Sequence, residues 1–81
     1  MNENRQKLIT CFTEALNIPA SQVVDPLAYQ SIPQWDSVAH MALVAQLESG
    51  FDVMLDTDQI LGMSSVAKAV EILSSHGVSF A

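Results

Sequence analysis

Trp35-Asp36-Ser37-Val38-Ala39-His40-Met41-Ala42-Leu43-Val44-Ala45-Gln46-Leu47-Glu48-Ser49-Gly50-Phe51 reads as a helix. Leu43, Val44, Leu47 and Phe51 recur at the spacing that lines one helical face. Neither Gly nor Pro interrupts Ser37 to Ser49, and Ala, Leu, Met, Gln and Glu, all good helix formers, hold most positions. Asp36 or Ser37 is a natural N-cap, because either side-chain oxygen can accept an orphan N–H of the first turn. The helix is expected to end near Gly50. Ser37 therefore falls at or beside the positive end of a helix, exposed, with a carboxylate next to it.

Upstream, a first helix is expected from about Asn4 to Leu16, with Asn2 as its cap. Leu8, Phe12, Ala15 and Leu16 form its apolar stripe, Ile9 flanks it, and Arg5, Lys7, Thr13 and Glu14 face outward. Asn17-Ile18-Pro19 closes it, since Pro19 drives Ile18 out of helical backbone. Residues 17 to 35 then form a long first loop. Its Val23, Val24, Leu27, Tyr29 and Ile32 make it too apolar for a free linker, so a packed strap is expected. Val23, Leu27 and Ile32 should lie on the helices, after a short helical turn from Ala20.

Downstream, Asp52 to Leu55 reads as an extended connection with Val53 and Leu55 inward. Asp56-Thr57-Asp58-Gln59-Ile60-Leu61 is one capped turn, with Asp56 or Thr57 as cap and Gly62 as stop. A final helix opens at Ser64 or Ser65 and carries Val66, Ala69, Val70 and Leu73 on one face. His76 and a left-handed Gly77 end it, leaving Val78 to Ala81 as a tail. The expected fold is all-α: a small four-helix bundle, three longer helices plus one short, with a long first loop, in a single domain spanning residues 1–81.

Composition sets bounds on function. Hydrophobic residues make up 49% of the 81 and charged residues 15%, a packed globule rather than a disordered chain. Nine acidic residues face only Arg5, Lys7 and Lys68, for a net charge of −6. A surface so short of cations argues against nucleic-acid backbones and anionic membranes, and suits partners with basic surfaces. The first residues lead into no signal-type apolar run, and none elsewhere is long enough to span a bilayer. A cytoplasmic monomer without stable membrane insertion is expected. Cys11, the single cysteine, sits among Leu8, Ile9 and Phe12 and reads as a small buried hydrophobe.

Asp36, Ser37 and His40 place a nucleophile and a base within one helical turn. However, there is no Gly-x-Ser-x-Gly elbow, and a His three residues on projects beside its own helix. A packed His40 is the plainer reading, and no catalytic residue stands out. His40 and His76 lack the spacing of a metal motif, so no metal site is expected. Ser37 is better placed as an acceptor. A phosphodiester on a serine at a helix N-terminus is stabilised by the free N–H groups and the dipole, by a few tenths to about 1 kcal/mol.

In this register the chain resembles the acyl carrier protein family. The resemblance lies in Asp36-Ser37-Val38 (Asp-Ser-Leu in the family, with Val here for Leu), Leu43-Val44, Leu47-Glu48 and Phe51. It continues through Leu55, the acidic Asp56-Thr57-Asp58, and Ser64-Ser65-Val66 with Ala69-Val70 to Leu73. It implies a carrier-protein bundle whose Ser37 takes a 4′-phosphopantetheine arm from coenzyme A, the arm's thiol holding an acyl group as a thioester. It implies no catalytic activity of the chain's own. The partners it implies are a phosphopantetheinyl transferase, which Asp36 helps to recognise the site, and the acyl-loading and acyl-transfer enzymes of a fatty-acid, polyketide or other specialised pathway. Val38, Met41, Ala42, Ala45 and Glu48 would meet those partners. Met41, Met54 and Met63 would let such a bundle open slightly around an acyl chain, each buried methylene contributing up to about 0.8 kcal/mol. Filling gaps in an ordinary core is their other reading.

The chain also departs from the family. Fatty-acid carriers carry several acids along the exposed face of this helix, whereas here it reads Ala39, Ala42, Ala45 and Ser49 with Met41 beside it, and only Asp36 and Glu48 are charged. Docking should therefore be more apolar and less salt-sensitive, as in a specialised carrier. An aminoacyl or peptidyl carrier is the near alternative; an unmodified helical interaction module is the alternative of another class. Trp35 is expected to pack, with partner contact as its lesser role. His40 is expected to make a satisfied polar contact at a helix edge, or to border an acyl entrance.

Overall fold

The computed structural model of the chain describes residues 3–80. Four α-helices follow one another: α1 (Glu3–Leu16), α2 (Ser37–Phe51), α3 (Thr57–Gly62) and α4 (Val66–Ser75), with a 3-10 turn at Ala20–Gln22 in the long first loop. Among the described residues there is no strand, only an isolated bridge between Ala28 and Ser65. The all-helical fold, the short turn from Ala20 and the packed strap are as expected; Asn2 lies outside the described residues.

Helices α2, α3 and α4 each begin at a side chain that accepts a first-turn N–H. Asp36 caps α2 through Ala39, and Ser65 caps α4 through Lys68. At α3 the cap is reciprocal: Asp56 accepts from the Gln59 N–H while the Gln59 side chain accepts from the Asp56 N–H. Helix α4 ends as its His-Gly pair foretells. Gly77 turns left-handed at φ 89°, its N–H bonds the Ser74 carbonyl, and the Val78 N–H returns to Leu73.

One core runs through the molecule. Leu8, Phe12 and Leu16 of α1 meet Leu43, Val44 and Leu47 of α2, with Val66, Ala69 and Leu73 of α4 completing it. The first loop lies on this core through Val23, with Leu27 and Ile32 half-buried against it. Backbone bonds tie the strap to the start of α4, from Tyr29 to Ser64, Val66 to Leu27 and Ala67 to Asp25. Arg5 ties it to α1 through Asp25 at 2.8 Å. Cys11 is buried, and burial pushes its thiol pKa up, with Glu14 adding to the rise and Lys7 opposing it.

The structure corrects three expectations, for the C-terminal segment, the methionines and Ala39. Helix α2 ends at Phe51, near Gly50 as expected, and Asp52 takes the left-handed turn at φ 54°. Asp tolerates that backbone, and Gly50 is left free to face Lys7 and Cys11 of α1. Residues 78–80 are not a free tail: Val78 and Phe80 are half-buried, the Phe80 ring lies 6.0 Å from Phe51, and Asn4 Nδ2 donates to the Ser79 carbonyl. Of the three methionines read as lining the interior, only Met63 is inside; Met41 and Met54 are 55% and 84% exposed. Ala39 is half-buried rather than part of the outward face.

Candidate functional site

Ser37 is the first residue of α2, exposed, and its hydroxyl has no hydrogen-bond partner among the described residues. Its position is fixed from both sides. Before it, extended backbone at Asp36 aims the carboxylate onto the Ala39 N–H at 2.9 Å, so one orphan donor of the first turn is satisfied and the helix start is pinned. The Asp36 carbonyl takes the first intrahelical bond, from His40 at 2.8 Å.

Beneath this turn Trp35 is 0% exposed. Phe12 and Tyr29 both stand edge-on to it, at ring separations of 5.5 Å and 6.2 Å. A buried indole needs a partner for its N–H, and Trp35 Nε1 donates to His40 Nδ1 at 3.0 Å. That bond places the ring proton of neutral His40 on Nε2, which donates to the Ile60 carbonyl at 2.8 Å. His40 thus makes the satisfied contact expected of it, and more: it spans from the loop to the last turn of α3 and supplies a donor to a helix end short of partners. Both ring nitrogens are engaged away from Ser37, so the Ser37–His40 pair is not arranged as nucleophile and base.

The outward face of α2 carries Val38, Met41, Ala42 and Ala45, all exposed, with Val38 at 79%. The helix is therefore apolar on its outer face as well as its buried one. On α3, Leu61 is 75% exposed and follows the residue that His40 holds. Glu48 sits differently from these four. It is half-buried, and its Oε2 accepts from the Leu55 N–H at 3.0 Å, fastening the connection to α3.

No protein-family model matches the chain, and no curated protein matches it.

Elsewhere, an open hollow between α3 and α4 is lined by Asp56, Asp58, Gln59, Lys68, Glu71 and Ile72, and includes none of the residues around Ser37. No three His, Cys, Asp or Glu side chains among the described residues gather as metal ligands. No helix among them is long and apolar enough to cross a membrane. The sequence gives no sign of the roles of Tyr29 and the Ile60 carbonyl. Tyr29 reaches Trp35 and His40 only because the loop folds back, and a backbone carbonyl has no letter in a sequence.

Proposed function

We propose that this chain is an acyl carrier: a four-helix carrier-type bundle, monomeric and cytoplasmic, that holds acyl intermediates on a 4′-phosphopantetheine arm attached to Ser37. The observation that carries the reading is the exposed, unpartnered Ser37 hydroxyl on the first turn of α2. An accessible hydroxyl can attack the pantetheine-bearing phosphorus of coenzyme A on an incoming transferase without breaking any native contact: it loses its proton, a Ser37 Oγ–P bond forms, and the pyrophosphate P–O bond breaks to release adenosine 3′,5′-bisphosphate. The first-turn N–H groups and the helix dipole then favour the negative charge of the diester. When bound, the arm supplies a thiol that carries the acyl group as a thioester.

The chain's own residues do the rest. Asp36 holds the turn in place and presents a carboxylate beside the hydroxyl to a basic phosphopantetheinyl transferase. Trp35, rigid beneath the turn, keeps Ser37 at a fixed point on the surface. Val38, Met41, Ala42 and Ala45 offer loading and transfer enzymes an apolar face, a type of contact that does not weaken steeply with salt. Glu48 belongs to the same helix, but the Leu55 bond commits one of its oxygens. The reacting groups belong to those enzymes, and the carrier has no catalytic role.

Transfer of a fluorescent arm from labelled coenzyme A by a broad-specificity transferase tests the site. Wild type and Ser49→Ala, which alters another exposed serine of α2, should label, and Ser37→Ala should not. Label on Ser37→Ala would move the site elsewhere. Loss of label from folded wild type would favour an interaction module that uses the apolar face unmodified. Once labelling is established, loading by an aminoacyl-adenylating enzyme rather than an acyl-transferring one would favour the aminoacyl carrier.

A further inference from the structure

Helix α3 is held in an unusual way. It is six residues long, none of them fully buried, so little apolar area secures it. Three polar contacts do much of the work. His40 of α2 donates to the Ile60 carbonyl at 2.8 Å, His76 at the end of α4 meets Gln59 Oε1 at 2.9 Å, and Glu48 of α2 accepts from Leu55 just before the helix. The two histidines that pin α3 are the only two in the chain.

Their responses to a proton differ. His76 faces an acceptor, so its Nε2–H serves equally well on a neutral or a charged ring. His40 has no such freedom. Its Nδ1 must accept from the Trp35 indole, and an indole N–H can only donate. A proton on Nδ1 would set donor against donor inside a contact whose indole is wholly buried. The imidazolium must then leave, and the Ile60 carbonyl is left with only the long 3.4 Å bond from the Met63 N–H.

We propose that Trp35, His40 and the Ile60 carbonyl form a proton-operated latch: closed when His40 is neutral, and open when a proton on Nδ1 expels the ring and frees α3 from α2. The inference rests on this geometry and not on the carrier reading. By linkage, the open form binds one more proton than the closed form, so acid favours opening. The groups packed on the ring are the Tyr29 phenol at 5.2 Å, the Trp35 indole stacked at 6.1 Å and the Ile60 carbonyl. The nearest carboxylates in sequence are already in use, Asp36 on Ala39 N–H and Asp56 on Gln59 N–H.

Amide hydrogen exchange by NMR at pH 8 and pH 5, expressed as protection factors, tests the latch, with the single Trp35 indole N–H as a direct reporter. On acidification, protection of the Ile60–Met63 amides should fall about tenfold or more, the scale of one lost hydrogen bond. The indole N–H should lose protection in step, while α1 amides hold. His40→Gln can accept from the indole and donate to the carbonyl but cannot titrate, so its α3 protection should be the same at both pH values. His76→Gln should keep the wild-type response. Unchanged α3 protection in wild type would overturn the latch. So would an equal loss in His40→Gln, or disappearance of the response in His76→Gln.

Discussion

At the scale of single residues, Asp36 has two separable duties. Its carboxylate caps α2, and in the proposed function it also marks Ser37 for a basic enzyme. Asp36→Ala removes both, and should cost about 0.5–2 kcal/mol in urea unfolding. Asp36→Asn keeps an N-cap oxygen, and should stay within a few tenths of a kcal/mol of wild type. If arm transfer falls with Asn as it does with Ala, the charge is what the transferase reads. If Asn transfers like wild type, the cap alone matters. Cys11 makes a different prediction. Its pKa is raised in the folded protein by burial, with Glu14 reinforcing the shift. The thiol therefore stays neutral in the fold at pH values where the unfolded chain has begun to ionise, near the ordinary value of 9.0. Above that pH the unfolded state binds fewer protons, so stability falls as pH rises. Against Cys11→Ala, the wild type's stability margin should shrink between pH 8 and pH 10.5. A constant margin would contradict the assignment.

At the scale of elements, the glycines in the closing stretches of α2 and α4 predict opposite outcomes for the same substitution. Gly50 lies inside α2, and an added Cβ would sit 3.5 Å from Cys11 Sγ and 3.6 Å from Lys7 Cδ, which is ordinary contact. Gly50→Ala should therefore stabilise by up to about 1 kcal/mol through helix propensity. Gly77 turns at φ 89° to close α4, and Gly77→Ala should destabilise by about 1–2 kcal/mol although nothing crowds it. Urea midpoints moving in the same direction would refute this pair. These ends also show what sequence can reveal. Gly77 was legible because a His-Gly pair follows an apolar stripe. Gly50 marked the end of α2 only to within a residue or two, because the same letter also serves inside a helix, and Asp52 takes the turn. The caps at Asp36, Asp56 and Ser65 were legible to within a residue, since capping is local. Met41 beside the outward face of α2 was legible from helical spacing, whereas Phe80 on Phe51 and Met54 on the surface depend on how distant segments meet, and no periodicity encodes that.

At the scale of the whole molecule, the charge distribution and the packing point the same way. Arg5 bonds Asp25, Lys68 lies 3.6 Å from Glu71, and Lys7 sits over the Phe51 ring at 5.1 Å, so all three Lys and Arg side chains are engaged within the fold. The surplus charge is negative, and exposed apolar side chains stand on the helix that begins at Ser37, at Val38 and Met41, as well as at Met54 and Leu61. Position of the serine, its carboxylate neighbour and the outward face were all readable from one stretch of sequence. The wiring beneath them, from Trp35 through His40 to α3, was not, because it is made across a folded loop and ends on a backbone atom.

The most direct test of the central claim is the intact mass of the protein after incubation with coenzyme A and a broad-specificity phosphopantetheinyl transferase, with peptide mapping of any adduct. The account predicts a gain of one phosphopantetheine unit, mapped to Ser37 and missing from Ser37→Ala. An unchanged mass from protein shown to be folded, or an adduct mapped to another residue, would contradict it.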